Sequence, residues 1–332
     1  MTLNQLRAFA LVARLGSLRA AAAELKVSEP AVSSSLASLR LDLGDSLFVR
    51  AGSGIALTAG GRALADHAQE IVGLADQIRW EVAHAEEATP SLRIVATAGF
   101  AEHAAGRLLD AFTRRAPGHS GGLDVVVEAA DTLSSLLQDH ACDVALGSRP
   151  LSGNHLDVVP FLRYQRVIVA APQNPLVRVA HENDSSKTMS LADLLGQPWF
   201  TGPGGVEENT AEGSWLSARF LGSARGMPDI VPLSSETDAL AAVRDGEGVM
   251  LALTHVVRAE VQAGTLAILP VENTPIAGLW CASTLDRGRG SAAARTLQRF
   301  VTTAAATEAM LAPGGSRGVV RRGSKVHVAL WS

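Results

Sequence analysis

Short polar and basic side chains concentrate between residues 17 and 53, and their types suit contacts with DNA. Arginine can pair with phosphate or guanine, serine can hydrogen bond to phosphate or base edges, and glutamate can accept a hydrogen bond from cytosine N4. Residues 1–65 carry seven Lys and Arg against four Asp and Glu, although the whole chain has a formal net charge of −4. A basic segment inside an acidic chain is typical of a separate nucleic-acid-binding region. The candidate DNA contacts are Arg19, Ser28, Glu29, Pro30, Ser33, Ser34, Ser35, Arg50 and Ser53.

Two short helices would hold most of these side chains. The first is rich in alanine, spans Leu18–Leu25, and can be capped by Ser17. The second is predicted from about residue 29 to residue 43, with Ser28 as its N-cap and Pro30 in its first turn. Its other face is small and polar, as a helix in a major groove requires. Its buried face is predicted from apolar residues that recur every three or four positions, namely Val32, Leu36, Leu39 and Leu43.

A ribbon with glycines at its tip follows the second helix. Strands are predicted at 47–50 and 55–57, around a turn at 51–54. The ribbon completes a winged helix-turn-helix and puts Arg50 at the outer end of the wing, where it would contact phosphate. Ordinary packing can also produce a pair of Ala-rich helices, so the ribbon is what favours DNA binding.

One long helix is predicted after Thr58, and its apolar residues follow a heptad spacing. A heptad seam predicts a partner helix, so the chain is expected to form a homodimer whose two-fold symmetry suits a pseudo-palindromic DNA operator. The alternative is a helix that packs only on its own domain. The predicted dimerisation residues are Leu64, Ala68, Ile71, Ala75, Ile78 and Val82.

From residue 90 onward the chain alternates predicted strands and helices, which indicates an α/β domain. The predicted organisation is therefore a winged helix-turn-helix domain at 1–58, a linker helix at 59–89 and an α/β effector-binding domain at 90–312, followed by a flexible basic tail at 313–332. Within the α/β domain, subdomain I is expected to comprise 90–161 and 268–312, and subdomain II to comprise 162–267. A closing helix is expected over about 291–306.

The N-terminal sixty residues resemble those of LysR-type transcriptional regulators. Asp143 to Leu146 and Gly246 to Leu251 also resemble motifs that recur in the family. The N-terminal resemblance rests on QLRAF at 5–9, GS at 16–17, AA at 21–22, VS at 27–28, PA at 30–31, LG at 43–44, LFVR at 47–50 and LTAG at 57–60.

This resemblance implies an all-α winged helix-turn-helix, a linker helix and a two-subdomain α/β module similar to periplasmic solute-binding proteins. Two crossover strands would join the subdomains, near 157–162 and 263–270. It also implies a regulator that binds double-stranded DNA, responds to a small-molecule co-inducer, assembles as a dimer or tetramer, and contacts RNA polymerase. Effector binding would change the closure of the two lobes and thereby the spacing and bending of the bound DNA.

Three positions of the recognition helix depart from the family pattern. The family usually has Gln at the position of Glu29, and Arg followed by Gln at the positions of Ser34 and Ser35. Glutamate near phosphate is electrostatically unfavourable, and serine is short. We therefore expect this chain to recognise a different operator from the commonest members.

The effector is expected between the two subdomains, where strands end and helices begin, because free N–H groups and the helix dipole favour ligands there. By resemblance, Thr97 stands where many family members use a hydroxyl to hold an effector carboxylate. A helix cap or a turn is the alternative role of each such residue. The candidate effector-binding residues are Thr97, Gly99, Phe100, Gly147, Ser148, Thr201, Gly202 and Thr237.

Other functional classes find little support in the sequence. It contains no G-x-S-x-G elbow, no phosphate-binding G-x-x-x-x-G-K and no metal-ligand spacing, so no catalytic residue, metal or cofactor is predicted besides the co-inducer. No apolar run reaches the roughly 20 residues that span a bilayer, and no signal peptide is evident, so a cytoplasmic protein is expected. The remaining alternative is a dimeric ligand-binding or scaffold protein with weak or no sequence-specific DNA binding.

Overall fold

A computed structural model describes residues 1–51, 54–83, 92–116, 123–153, 155–182, 188–207, 210–220, 226–286 and 289–312. The chain divides into two compact units. The first holds the described residues up to 83 together with Ser135–Cys142, and the second holds the other described residues from 92 onward. The predicted basic tail at 313–332 and Ser53 lie outside the described residues.

The first unit contains three short helices, a two-stranded ribbon and one long helix. The sequence prediction of the second and third helices is confirmed to the residue. Phe48 to Ala51 pair antiparallel with Leu57 to Gly54 in the ribbon. The elements are α1 (Leu3–Leu15), α2 (Leu18–Leu25), α3 (Glu29–Leu43), β1 (Phe48–Ala51), β2 (Gly54–Leu57) and α4 (Ala59–Ala83).

Local signals explain where these helices begin and end. The hydroxyl of Ser17 accepts the N–H of Ala20 at 3.3 Å, which confirms the predicted cap of α2. Gly16 and Gly44 end α1 and α3 in the left-handed conformation, with φ of 64° and 66°. The predicted cap at Ser28 is wrong in one respect: its backbone is extended as a cap requires, but its side chain makes no capping hydrogen bond.

The start of α4 is tied to the wing. Thr58 accepts the N–H of Gly61 at 2.8 Å and donates its hydroxyl to Asp45 at 2.7 Å. Gly61 is needed because a Cβ there would lie 2.1 Å from the carbonyl oxygen of Leu47. These contacts fix the orientation in which the ribbon leaves the helical core.

The second unit is built on one mixed sheet in the strand order β4-β3-β5-β11-β6-β9-β7-β8, with β10 paired to β6. β3 lies parallel to β4 and β5, β7 lies parallel to β8 and β9, and β6 and β11 run antiparallel through the middle. The strands are β3 (Leu92–Ala96), β4 (Leu123–Val127), β5 (Val144–Gly147), β6 (Leu156–Ala170), β7 (Trp199–Thr201), β8 (Ile230–Pro232), β9 (Val249–Leu253), β10 (Ala267–Ile268) and β11 (Ile276–Leu285).

Helices pack against this sheet, and the domain has two lobes with separate hydrophobic cores. The first lobe has a core that includes Ile94, Phe112 and Leu297, and the second lobe has cores around Trp199 and Val243. The helices are α5 (Ala98–Phe100), α6 (Gly106–Arg115), α7 (Leu133–Gln138, which belongs to the first unit from Ser135 onward), α8 (Pro175–Glu182), α9 (Ala211–Phe220), α10 (Glu236–Arg244), α11 (Thr254–Gln262), α12 (Ala292–Val301) and α13 (Ala304–Leu311). A π-helical turn at Ala101–Ala105 joins α5 to α6 into one continuous helix.

Three sequence predictions for this unit need correction. The two predicted sheets are one sheet, because β6 and β11 are long enough to pair through both lobes. The second crossing strand is therefore β11, not 263–270. Leu269, Val271 and Ile276 pack in the core of the second lobe, so the lobe boundary falls within β11 and not at 268. The predicted closing helix is two helices, α12 and α13.

Candidate functional sites

The predicted DNA contacts lie on one exposed face of α3 and on the adjoining elements. Val32, Leu36 and Leu39 are buried, as predicted, whereas Leu43 is 42% exposed. Ser35 is half-buried. The exposed candidates are Arg19, Ser28, Glu29, Pro30, Ser33, Ser34 and Arg50.

Arg40 adds a positive charge between α3 and the wing. Its guanidinium carbon lies 5.9 Å from the ring centre of Phe48 in β1, and Phe48 in turn packs against Phe9 with ring centres 5.2 Å apart. The sequence offered no reason to select Arg40 as a DNA contact. The contact with the wing depends on how the ribbon folds back, which only the tertiary structure reveals.

The predicted heptad seam of α4 divides into two parts. Ala68 is fully buried, and Leu64 packs against the same core of the first unit, so Ala68 has no surface left for a second copy of the chain. Further along, α4 exposes large apolar side chains that the seam only partly anticipated. Ala75 is half-buried. The exposed residues are Ile71 at 43%, Leu74 at 46%, Ile78 at 51% and Val82 at 70%.

A cavity of about 100 Å³ lies between the two lobes of the second unit. Six of the predicted effector residues line it. Gly147 lies behind Thr97: a Cβ on Gly147 would be 3.3 Å from the methyl carbon of Thr97. The lining includes Thr97, Gly99, Phe100, Ser148, Arg166, Trp199, Thr201, Gly202, Glu207, Thr210, Glu212, Glu236 and Trp280.

The start of the first-lobe helix brings three of these residues together. The helix begins at Ala98, so Thr97 is its N-cap residue. Phe100 is only 1% exposed and packs edge-on against Phe161 and Trp280, with ring centres 5.9 and 5.0 Å apart. Phe100 is therefore a rigid wall of the cavity, anchored in the first-lobe core.

A buried ion network forms the floor of the cavity. The Arg166 guanidinium donates to both oxygens of Glu236, at 2.8 and 3.1 Å, and to the carbonyl oxygen of Leu251 at 2.9 Å. Its Nε lies 2.7 Å from Glu212 Oε1, in an ion pair whose angle is too bent for a hydrogen bond. The Tyr164 hydroxyl donates to the other oxygen of Glu212 at 3.2 Å.

These contacts set the charge states of Glu236, Arg166 and Tyr164. Burial by itself would raise the pKa of Glu236, but Arg166 and a hydrogen bond from His103 outweigh it and hold that pKa well below its usual range. Burial would likewise lower the pKa of Arg166, but Glu236 and Glu212 raise it above its usual range. Burial and the charge of Glu212 together raise the pKa of Tyr164, so its hydroxyl stays protonated and donates.

Two residues that follow α5 reach across to the second lobe. Glu102 accepts the N–H of Glu236 at 2.9 Å and the N–H of Thr237 at 2.7 Å, and also the hydroxyl of Thr237. His103 Nε2 lies 2.9 Å from Glu236 Oε2. A carboxylate at a helix N-terminus is favourable, so Glu102 stabilises α10 from the opposite lobe. Thr237 thus binds Glu102 and does not line the cavity.

One polar atom in the cavity wall lacks a partner. Thr201 Oγ1 is fully enclosed and has no hydrogen-bond partner among the described residues. Its neighbour in the lining, Thr210, is satisfied, because it donates to the carbonyl oxygen of Glu207 at 2.7 Å and accepts the N–H of Gly213 at 3.1 Å. An enclosed hydroxyl without a partner is uncommon in proteins and is the expected state of a group that awaits a ligand.

The sequence analysis missed Arg166, Glu212 and Glu236. A signal existed for Arg166, which immediately precedes a run of five apolar residues in a predicted strand. Glu212 and Glu236 occupy the first turns of α9 and α10, where acidic residues are common for reasons of helix stability alone. Their role becomes visible only when the lobes place them around one guanidinium.

Comparison with known families identifies the class of protein that combines these two units. Residues 3–62 match the family described as bacterial regulatory helix-turn-helix protein, lysR family, and residues 85–306 match the LysR substrate binding domain. The chain belongs to the LysR family of transcriptional regulators. It is a DNA-binding regulator with an effector-binding domain, as the sequence predicted.

Relatives cover almost the whole chain. An uncharacterised helix-turn-helix transcriptional regulator of Mycobacterium tuberculosis is 37% identical over 100% of both chains. The transcriptional regulator CfxR of Cupriavidus necator is 30% identical and covers 91% of each chain. The family assignment therefore applies to both units.

Solved structures agree on the fold. ArgP from Mycobacterium tuberculosis superposes with a TM-score of 0.56 at 21% identity and covers 91% of this chain and 96% of its own. LysG from Corynebacterium glutamicum, solved with bound effector Arg, superposes with a TM-score of 0.55 at 19% identity over 93% and 99% of the two chains. At these identities the likeness concerns the fold alone.

Two further features are absent from the described part of the chain. None of its helices combines the length and apolar character needed to cross a bilayer. No group of three or more His, Cys, Asp or Glu in that part is arranged to hold a metal ion.

Proposed function

We propose that a small-molecule effector binds in the cavity between the two lobes and controls how this regulator binds DNA. The observation that carries the proposal is a cavity lined by residues of both lobes, with the unpartnered Thr201 hydroxyl enclosed in its wall. A ligand that contacts both lobes binds more tightly to the protein at one degree of lobe closure than at another. Its binding therefore shifts the population toward the form that it binds best. The protein acts by binding and not by turnover, in keeping with the regulator relatives.

The DNA contact in this proposal consists of the exposed face of α3, with the wing beside it. Glu29, Pro30, Ser33 and Ser34 would face the major groove, with Ser35 at its margin. Arg19, Arg50 and Arg40 would contact the backbone, because arginines at the rim of a reading helix mainly position it. Two copies of the chain, paired through α4, would read a pseudo-palindromic operator, and pairs of dimers would form the tetramer.

We expect Arg50→Ala to weaken binding to all DNA sequences by a similar factor. Removal of one phosphate contact should reduce the slope of log affinity against log salt by about one unit. Fluorescence anisotropy with the DNA upstream of the gene, at several salt concentrations, measures this slope. Leu41→Ala serves as a control, because Leu41 is 85% exposed on α3 of the same unit but carries no charge. An unchanged slope for Arg50→Ala would remove Arg50 from the interface.

We expect Thr201→Val to weaken effector binding by about 5- to 100-fold while leaving the free protein as stable as the wild type or slightly more stable. The change removes the unpartnered hydroxyl and keeps the shape of the side chain. A screen of metabolites by thermal shift identifies a ligand, and calorimetry then compares the variants.

Thr284→Val is the matched control. Thr284 Oγ1 is also buried without a partner among the described residues, but Thr284 does not line the cavity. Both variants should be as stable as the wild type or slightly more stable, and only Thr201→Val should bind the effector more weakly. Equal affinity in the wild type and both variants would place the effector elsewhere.

A further inference from the structure

The charges around the cavity are unbalanced. Three carboxylates line it, those of Glu207, Glu212 and Glu236, against the single guanidinium of Arg166. The side chains of Arg166, Glu212 and Glu236 are only 10–13% exposed, so water screens them weakly. A ligand that enters this cavity therefore meets an excess of negative charge.

The cationic side chain in the lining, Arg166, is already engaged. Arg166 makes a two-pronged contact with Glu236 and an ion pair with Glu212. The Glu236 carboxylate also lies against the start of the first-lobe helix, where a Cβ on Gly99 would be 2.8 Å from Oε1. Helix starts favour anions, and here the protein's own carboxylate already lies beside that position.

The N-terminus of α10 is occupied as well. Its N–H groups at Glu236 and Thr237 bind Glu102, and the N–H of Asp238 binds the Ser235 hydroxyl at 2.9 Å. A carboxylate or phosphate on a ligand would have to displace one of these internal partners. It would also lie close to Glu212 and Glu236, at a cost in electrostatic repulsion.

Acceptors, in contrast, remain available. Glu207 is half-buried, and its Oε1 accepts one long hydrogen bond, from the N–H of Ala130 at 3.3 Å. Glu212 receives one hydrogen bond from Tyr164, although each carboxylate oxygen can accept two. The aromatic side chains of Trp199, Phe100 and Trp280 form part of the wall, and aromatic faces attract cations.

We propose that the effector carries a cationic nitrogen, as an ammonium or guanidinium group, which Glu207 and Glu212 bind. The Thr201 hydroxyl supplies a further polar contact with the same ligand. This inference rests on the proposed function, because it names the ligand class of that cavity. It also differs from the effector carboxylate that the family resemblance suggests for Thr97.

The test uses the full chain and matched probes. Agmatine, putrescine and lysine represent cations, 1,4-butanediol is the neutral counterpart of putrescine, and succinate and inorganic phosphate represent anions. We expect calorimetry to show binding of at least one cation, and much weaker binding of 1,4-butanediol and both anions. Loss of one charged hydrogen bond corresponds to about a 10- to 100-fold change in affinity.

Glu207→Gln separates charge from shape. Glutamine retains the oxygen that accepts the Ala130 N–H and removes only the negative charge. We expect this variant to bind the cation about 10- to 100-fold more weakly. Glu247→Gln, which changes an exposed glutamate that does not line the cavity, should bind it as the wild type does.

The outcomes distinguish the ligand class from the location of the site. If succinate or phosphate binds, no cation does at millimolar concentration, and Thr201→Val weakens that binding, the cavity is the site and the cationic class is wrong. If no probe binds at all, the cationic class is also rejected. If a cation binds but neither Glu207→Gln nor Thr201→Val changes its affinity, the ligand lies elsewhere and the proposed function fails too.

Discussion

An Arg166→Met variant is expected to lose about 3–5 kcal/mol of unfolding free energy in its two-lobe unit. Methionine replaces the aliphatic part of arginine but lacks the guanidinium, so the loss combines an electrostatic cost with a smaller cost for the space that the guanidinium leaves empty. Glu212 and Glu236 would remain buried without the guanidinium that offsets their desolvation. Removing one partner of a buried ion pair is costly because the charge left behind has neither water nor a counterion.

The pH dependence of this loss follows from the pKa of Glu236. In the wild type that pKa is lowered, so the contribution of Glu236 to stability is present above the unfolded value of about 4.3 and is lost only as pH falls through the lower folded value. Without Arg166, burial dominates and the pKa of Glu236 rises, so the carboxyl can fold in its neutral form. The difference in unfolding free energy between Arg166→Met and the wild type should therefore become smaller as pH falls from neutral toward about 4.

Urea unfolding monitored by tryptophan fluorescence measures both effects. Arg163→Met is the matched control, since Arg163 is exposed on the same strand and should change stability by less than about 0.5 kcal/mol. Adding Glu212→Gln and Glu236→Gln to Arg166→Met should restore part of the loss, because no buried charge is then left unpaired. An Arg166→Met protein as stable as the wild type at neutral pH would show that the network contributes nothing to folding.

Ile78→Asp is expected to convert the proposed dimer into monomers. Ile71, Leu74, Ile78 and Val82 form an exposed apolar stripe on α4, and a charge in the middle of such a contact would be buried without a partner. A dimer binds two half-sites at once, so its loss should reduce operator affinity by about 10²- to 10⁴-fold. Sedimentation and anisotropy measure the two effects separately.

Two controls accompany this variant. Ile78→Leu keeps the apolar contact and should remain dimeric. Leu41→Asp introduces the same charge at a leucine that is 85% exposed elsewhere in the first unit, and it too should remain dimeric. If Ile78→Asp sediments as the wild type does, the stripe on α4 is not the dimer contact.

The winged helix-turn-helix could be predicted closely because its determinants are local. The Ser17 cap, Pro30 in a first turn, and Gly16 and Gly44 in left-handed positions each act within one helical turn. The bounds of α2 and α3 follow from such signals without knowledge of distant contacts. The strands of the α/β domain were also recognisable, because short apolar runs between turns mark buried strands.

The orientation of α4 could not be read from its spacing. A heptad pattern states that one side is apolar, but not whether a domain core or another chain covers it. Here the core of the first unit covers Ala68. Further along α4, the apolar side chains of Ile71, Leu74, Ile78 and Val82 are exposed. Which neighbour covers each turn depends on how α1 and α4 pack.

The amino-acid sequence by itself determined the family, the order of domains, the reading helix with its unusual Glu29, Ser34 and Ser35, and cavity residues such as Thr97 and Thr201. These features depend on local spacing and on motifs. Only the tertiary structure decided that Arg166, Glu212 and Glu236 meet, because β6, α9 and α10 are distant in the chain and adjoin only when the sheet forms. The charge of the cavity, and with it the proposed ligand class, depends on that meeting.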